Sequence, residues 1–504
     1  MPPGPAPAPP GRLDGFRSRL AGRRVARFDG AVRPIPTLAW VFAAGIWAAA
    51  APARGGELTA EQQHWLSRAE THAKAGWIYL HIEGQPRERG FQHGYLLAPE
   101  IATGLRAEQV DWLHGSGMSW SWLIENTKGF IEPAIDPEDR EEMRGIAEGM
   151  QAAGVATSYD EIVAYNAYFE LAGYWWPLAA KKLTDGEDVV QRPKDGCSSF
   201  IATGRMTQDG GIVLGHNSMA PYDIAIQNVV IDIAPAAGHR ILMQTQAGWI
   251  DSGSDFFITD AGLVGSETTI GSFDHFTEKG TPEFVRMRRA TQDAGNIDAW
   301  CAIMRQGNNG GYANAWLIGD TKTGEIARLE LGLKYVGFER TRDGYFIGSN
   351  IAEDLHILRL ETHARDEDIR QGPVARRVRW KQLMAQYAGQ IDLDVAQRME
   401  ADTYDVLTQS TGADGHTLNE HDELVAVPNG SWPPFYPHGS FESKVVDTTL
   451  ARKMTFLARW GSPDGTAFDA PAFLAAHPQF DWMTGILQSR PSEPWAEFQA
   501  GEKH

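Results

Sequence analysis

The sequence predicts an α+β protein: a four-layer αββα sandwich in which two antiparallel sheets are covered by helices. Three observations carry this. From Cys197 onward the chain breaks into runs of 6 to 10 residues that read as strands, punctuated by Asp209-Gly210-Gly211, Lys322-Thr323-Gly324 and Arg342-Asp343-Gly344. Before Cys197, and again after Asn350, helical patterns dominate. Two sheets that bury one face on each other leave two outer faces, which those helices can cover.

Taken in order, Thr59 to Ala75 (TAEQQHWLSRAETHAKA) is expected as a helix with Trp65 and Leu66 inward. WIYLHIEG alternates as a strand, and GQPRERGFQHGYLLAPEI turns into a second helix. Near that turn Arg87 and Arg89 read as solvated charges and His93 as a satisfied helix residue. Asp136-Pro137 opens a helix with proline where its missing N–H does no harm. Ser158 to Glu161 is a capping box that starts YNAYFELAGYWWP. Its aromatics, from Tyr165 to Trp176, recur too densely for one buried face, so some are expected to line a groove; plain core packing is the alternative.

CSSFIATG and GIVLGHNS form a hairpin, continued by QNVVIDIAP, HRILMQTQAG and FFITDAGLVGSETTI as one antiparallel sheet. A helical stretch from Pro282 to Gln306 separates these from ANAWLIGD, EIARLELG, KYVGFERT and GYFIGSN. Helices return at VARRVRWKQLMAQYAG and DLDVAQRMEADTYD.

A composition of 42% hydrophobic, 10% aromatic and 22% charged residues over 504 positions is that of a folded globule. The net charge of -19 argues against nucleic acid as a partner, and against an anionic membrane face. The first 53 residues depart from this. Seven arginines precede the apolar run Thr37 to Ala51, which ends in APA, the pattern of a signal peptide and of export; an uncleaved anchor is the alternative. Removing them, with their two aspartates, would take the charge from -19 to -24. The pair Arg23-Arg24 is a weak twin-arginine signal.

Cys197 follows Gly196, whose backbone tolerates distortion. Attack of its thiol on the Gly196 carbonyl would give a thioester, and hydrolysis would free Cys197 as a new N-terminus. A terminal amine, with an ordinary pKa of about 7.7 to 8.0, can then serve as base to its own side chain. The second cysteine, Cys301 in AWCAIMRQ, reads as a buried helix residue, with a disulfide to Cys197 as the alternative.

DGCSSF, the upstream ERGFQHG and GHNS on the next strand resemble the isopenicillin N acyltransferase family of N-terminal-nucleophile hydrolases. Together with SETTI and HGSFESKVVDTTLARKMTFLARWGSP, they also resemble the phospholipase B-like (lamina ancestor) proteins. The resemblance implies the αββα fold, self-cleavage before the nucleophile, action on acyl amides or esters, and no metal or organic cofactor. It matches Cys197 to the nucleophile, Gly196 to the residue before the cut, Asn350 to the oxyanion donor and Arg376 to the arginine on the helix after the second sheet. His216 and Asn217 match the pair beside the nucleophile. Met219 stands where acyltransferase relatives carry an aspartate, which leaves Asp223 as the nearest substitute; the phospholipase B-like pattern lacks that aspartate too.

Residues 1–53 are thus expected as signal peptide, 54–196 as a helical light chain and 197–504 as the nucleophile-bearing heavy chain, the two chains staying associated. Other readings stay open. Asn217 and Asn350 could equally satisfy buried backbone at strand ends. Glu267 and Thr268 could be cross-strand surface pairs. Arg377 and Arg379 compete with Arg376. Asn314 is a candidate for support, and His438 and Asp447 carry weaker signals. The expected function is a self-cleaving acyl amidase or acyltransferase on a small acyl amide. A lipid ester hydrolase, or a non-catalytic lipid- or carbohydrate-binding relative, are the alternatives.

Overall fold

The computed structural model describes residues 57–187, 193, 196–226, 228–253, 256–426 and 432–503. The expected leader over 1–53 and the dipeptide 194–195 lie outside them. The strands are β1 (Glu70–Lys74), β2 (Trp77–Gly84), β3 (Ser198–Thr203), β4 (Val213–Pro221), β5 (Val229–Pro235), β6 (Ile241–Thr245), β7 (Phe256–Thr259), β8 (Leu263–Thr269), β9 (Asn314–Asp320), β10 (Glu325–Leu331), β11 (Val336–Thr341), β12 (Gly344–Gly348), β13 (Tyr404–Asp405), β14 (Ser410–Thr411), β15 (His438–Asp447), β16 (Thr455–Trp460) and β17 (Ala496–Gln499). A nine-stranded sheet runs β1-β2-β5-β6-β7-β8-β9-β10-β11 and a six-stranded sheet β12-β3-β4-β15-β16-β17.

Alternation along the strands sorts their side chains into three apolar layers. Val229, Ile231 and Ile233 of β5 face outward against helices that include Ala98–Ser116, Pro137–Ala152 and Ile297–Arg305. Val230 faces the other way, into a layer between the sheets with Leu242, Phe256 and Val264 on one side and Ile201, Leu214 and Phe456 on the other. Phe200, Ala202 and Val213 turn outward from the smaller sheet onto Trp380, Leu383 and Met384 of helix Gly372–Gln386. Helix, sheet, sheet and helix follow in that order. The expected αββα sandwich is the observed fold, and among the described residues no helix is long and apolar enough to cross a membrane.

Several expected elements differ. The helix proposed over Thr59 to Ala75 stops at Leu66; residues Glu70–Lys74 pair as an edge strand with β2. Pairing overrides the modest helix propensity of ETHAK. Strands β5 to β8 do not continue the β3–β4 hairpin but lie in the other sheet with β9 to β11, while β12 returns to pair with β3. Strands buried on both faces give no periodic clue to which neighbour they take. Neighbours are antiparallel except β2 and β5, which run parallel. The helices and the β3–β4 hairpin between them make up the long connection that a parallel pair needs.

The ERGFQHG segment is structural. Arg87 is a half-exposed charge paired with Glu148, but Arg89 is 1% exposed and bonds Glu142 at 2.6 Å and Glu138 at 2.7 Å. His93 accepts from the Gly248 N–H at 2.8 Å, and burial holds its imidazole down at about 4. Cys301 lies buried in helix Ile297–Arg305 without a disulfide, where burial pushes its thiol up to about 12.

Asp232 of β5 ties the N-terminal strands to the rest. It accepts from Arg240 Nε at 2.7 Å and from the Gly501 N–H at 2.8 Å, and meets His81 Nδ1 at 2.7 Å. Burial pushes its carboxyl up, but the Arg240 and His81 bonds outweigh this and leave it at about 2. A carboxyl depressed on folding stabilises the protein above its unfolded pKa, and that stabilisation is lost as pH falls through the folded value. Asp232→Asn is therefore expected to cost on the order of 2 kcal/mol at neutral pH. The gap to wild type should close as pH falls from 4 toward 2 in urea titrations, and an unchanged gap across that window would refute the assignment.

Candidate active site

Cys197 sits one residue before β3, 6% exposed, with φ +77°. A side-chain-bearing residue in this region costs roughly 1–3 kcal/mol and persists only where its surroundings hold it. The distortion expected at Gly196 thus falls on Cys197. Gly196 is needed for space, since a Cβ there would overlap the Met219 carbonyl oxygen.

Asn350, just beyond β12 and 2% exposed, has its Nδ2 donating to the Gly196 carbonyl oxygen and, at 2.8 Å, to that of Thr269. Its Oδ1 accepts from Arg376 Nη2 at 2.7 Å, and Arg376 Nη1 donates to Glu420 Oε2 at 2.7 Å. An arginine only donates, so the amide oxygen must face Arg376 and the amide nitrogen must face Gly196. Arg376 is fully buried on helix Gly372–Gln386, and one turn on Trp380 Nε1 donates to Ser198 Oγ at 2.8 Å. The same helix face therefore grips both the strand after Cys197 and the Asn350 side chain. Arg377 and Arg379 turn elsewhere, to Glu353 and Asp402.

The other sequence candidates divide. Asn217, on the outer face of β4, donates to the Glu400 and Leu418 carbonyls at 2.7 and 3.0 Å, so it satisfies backbone. His216 faces inward with Nε2 2.9 Å from the Glu267 carbonyl oxygen, and burial followed by the Lys444 charge pushes its pKa well below the usual range. Glu267 and Thr268 are buried, not surface pairs; Glu267 accepts from Tyr312 at 2.8 Å. Asn314 is fully buried opposite Thr269. Asp223 is fully buried and does not line the cleft, although Pro221 and Ile224 beside it do, and its charge is felt by Arg490. Asp447 caps helix Thr448–Ala451. His438 lines the cleft, bonded to Asp422 at 2.9 Å and stacked on Trp432.

Sequence reasoning missed Ser218, Lys444 and Glu442. Ser198 pairs with Asn217, so one step along the ladder brings Ser218 alongside Cys197, and both line the same cleft. Lys444 Nζ donates to Ser218 Oγ at 2.6 Å and to Glu442 Oε1 at 2.5 Å, with both charged residues fully buried. The available signal is the pair of opposite charges two apart in SFESKVVD, which places both on one face of β15.

Cys197 opens into a cleft of about 210 Å³, larger than the ~150 Å³ apolar cavities that hold a benzene ring. Trp112, Tyr168, Phe169, Tyr174 and Trp176 form much of its wall. Four of these come from the aromatic-dense segment, where a π-helical turn at Leu171–Trp175 shifts the buried face. The groove expected from that density is present. Within this wall Tyr168 Oη donates to Asp111 Oδ2 at 2.5 Å.

Similarity to known proteins bears on this arrangement. Residues 142–409 match the model of a family described as Phospholipase B. Putative phospholipase B-like 2 of Homo sapiens is 34% identical over 304 residues, 51% of this chain and 51% of the relative. Putative phospholipase B-like 1 of Caenorhabditis elegans is 24% identical over 73% of this chain and 72% of its own. An uncharacterized protein of Archaeoglobus fulgidus is 26% identical over 49% of this chain and 42% of its own. The chain thus spans about half the length of several curated relatives it matches. With the family model covering more than half of its residues, including Cys197, Asn350 and Arg376, this chain belongs to the phospholipase B family.

Proposed function

We propose that the chain is a self-processing cysteine acyl hydrolase, which frees Cys197 as an N-terminus and then uses it on an acyl ester or amide. The observation that carries this is the Asn350 amide, oriented by Arg376, donating to the carbonyl oxygen of the residue directly before a cleft-lining thiol. Cys197 Sγ attacks the Gly196 carbonyl carbon, and the charge developing on that oxygen meets a donor already in place. Collapse breaks the Gly196–Cys197 C–N bond, the thiol proton ends on the departing nitrogen, and a thioester remains. Water cleaves it to a Gly196 carboxylate and the thiol. In turnover the free α-amine takes the thiol proton, the substrate acyl group passes to sulfur, the leaving group takes the proton, and water releases the acid.

The two chains would stay together, because β2 of the first pairs with β5 of the second from Ile78↔Val229 to Gly84↔Pro235. The apolar aromatic wall suits an acyl chain, and the names of the family and its relatives favour a lipid acyl ester over an amide. Export would follow from the basic and apolar leader. Intact mass and N-terminal sequencing of the purified protein should give two co-eluting chains, the second beginning at Cys197. Matched ester and amide substrates should release acid from the ester. An uncut chain with full activity would overturn self-processing, and cleavage of amides alone would overturn the ester reading.

A further inference from the structure

The segment that follows β13 folds back on the start of helix Gly372–Gln386. A Cβ on Gly372 would overlap the Gly415 carbonyl oxygen, and Asn419 N donates to the Asp402 carbonyl at 3.0 Å. Within this segment His416 is 2% exposed, with Nε2 3.0 Å from the Arg370 carbonyl oxygen. That oxygen can only accept, so Nε2 carries a proton. Nδ1 has no hydrogen-bond partner and points at Asp405 Oδ2, 3.6 Å away.

Asp405 is 1% exposed, held by the Leu407 and Thr408 N–H groups at 2.8 and 3.1 Å, and Asp414 is half-buried beside it. The three ligand atoms lie within 4.8 Å of one another. A buried nitrogen lone pair aimed at carboxylates repels them, so positive charge belongs between. A second proton on the ring would make a hydrogen bond too long at this separation. Two ligand atoms each bonded to a tetrahedral ion at about 2.1 Å stand roughly 3.4 Å apart, close to the 3.6 Å between His416 Nδ1 and Asp405 Oδ2.

We propose that Asp405, Asp414 and His416 hold one divalent transition-metal ion. One imidazole nitrogen with two carboxylates favours Zn²⁺ over Ca²⁺ or Mg²⁺, which take oxygen ligands. None of its three residues lines the Cys197 cleft, and its role is structural. The same segment presents Glu420 to Arg376 and the Leu418 carbonyl to Asn217, so the ion fastens the stretch that backs the Asn350–Arg376 pair.

The test uses the untagged full-length protein, stripped with a chelator and titrated with Zn²⁺, with metal content and thermal midpoint as readouts. One Zn²⁺ per chain is expected, with a raised midpoint that excess Mg²⁺ or Ca²⁺ does not reproduce. His416→Ala and Asp414→Asn should each weaken binding at least tenfold. The half-buried Asp414→Asn decides the matter if the His416 variant does not fold. Wild type that takes up no Zn²⁺ at micromolar concentration, or variants that bind it as wild type does, would overturn the proposal. A midpoint that falls as pH rises past the histidine range, with no response to metal, would identify a bridging imidazolium and overturn it equally.

Discussion

Replacing Cys197 by alanine is expected to leave the chain uncut and to remove turnover altogether, with the folded structure intact. The first half follows from chemistry, since no other described nucleophile stands next to the Gly196 carbonyl along the backbone, and an alanine methyl cannot form the thioester. The second half follows from packing. Cys197 is 6% exposed and its backbone already lies at φ +77°, so the substitution removes one sulfur and adds no new strain. A loss of that size in a core costs on the order of 1 kcal/mol. Circular dichroism should therefore match wild type and the thermal midpoint stay within about 4 °C of it, while intact mass shows one chain. Cys197→Ser separates nucleophile from fold, since its weaker nucleophile can still make an ester intermediate, and slow cleavage at the same bond is expected. An alanine variant that is cut at 196–197 would place the proteolysis in another enzyme's hands.

How much of this was legible without a structure depends on what kind of signal each residue gives. Cys197 is legible as a candidate because a Gly-Cys step at a strand start, followed by a Gly-Gly turn, is local information. Asn217 and Asn350 look alike in sequence, each an asparagine at a strand end. They part only because Asn217 lies on the outer face of β4, against the Glu400 and Leu418 carbonyls, whereas Asn350 reaches across to Gly196. Arg376, Arg377 and Arg379 could not be ranked from their own segment. The ranking comes from Trp380, which fixes the helix face by its bond to Ser198. Sheet membership failed for a related reason: β5 and β12 are read correctly as strands, but nothing in their alternation names a partner. Lys444 and Glu442 are not legible as a buried pair because two charges in a strand usually mark a solvated edge, whereas here they neutralise each other in the space between the sheets.

Asn350 should be the second most sensitive position, and the order of its variants carries the argument. Asn350→Ala removes a side-chain donor to the Gly196 carbonyl oxygen. Loss of such a donor costs roughly 10²–10³ in rate, so self-cleavage followed over time should slow by that factor. Asn350→Asp keeps the shape and the Arg376 bond, yet it should do no better than alanine. Arg376 would still hold one oxygen at the Oδ1 position, and the other, now an acceptor bearing negative charge, would face the Gly196 oxygen on which charge must develop. Arg376 is already shared with Glu420, so a second carboxylate there gains little compensating attraction. If the residue served only to tie strand-end backbone together, the Thr269 carbonyl bond would be the relevant loss, and both variants would lower the thermal midpoint without a matching change in cleavage rate. A rate defect in folded protein, equal or worse for aspartate and larger than any change in thermal midpoint, belongs to an oxyanion donor, because a donor there is worth more to the charged oxygen of the transition state than to the neutral carbonyl it already bonds.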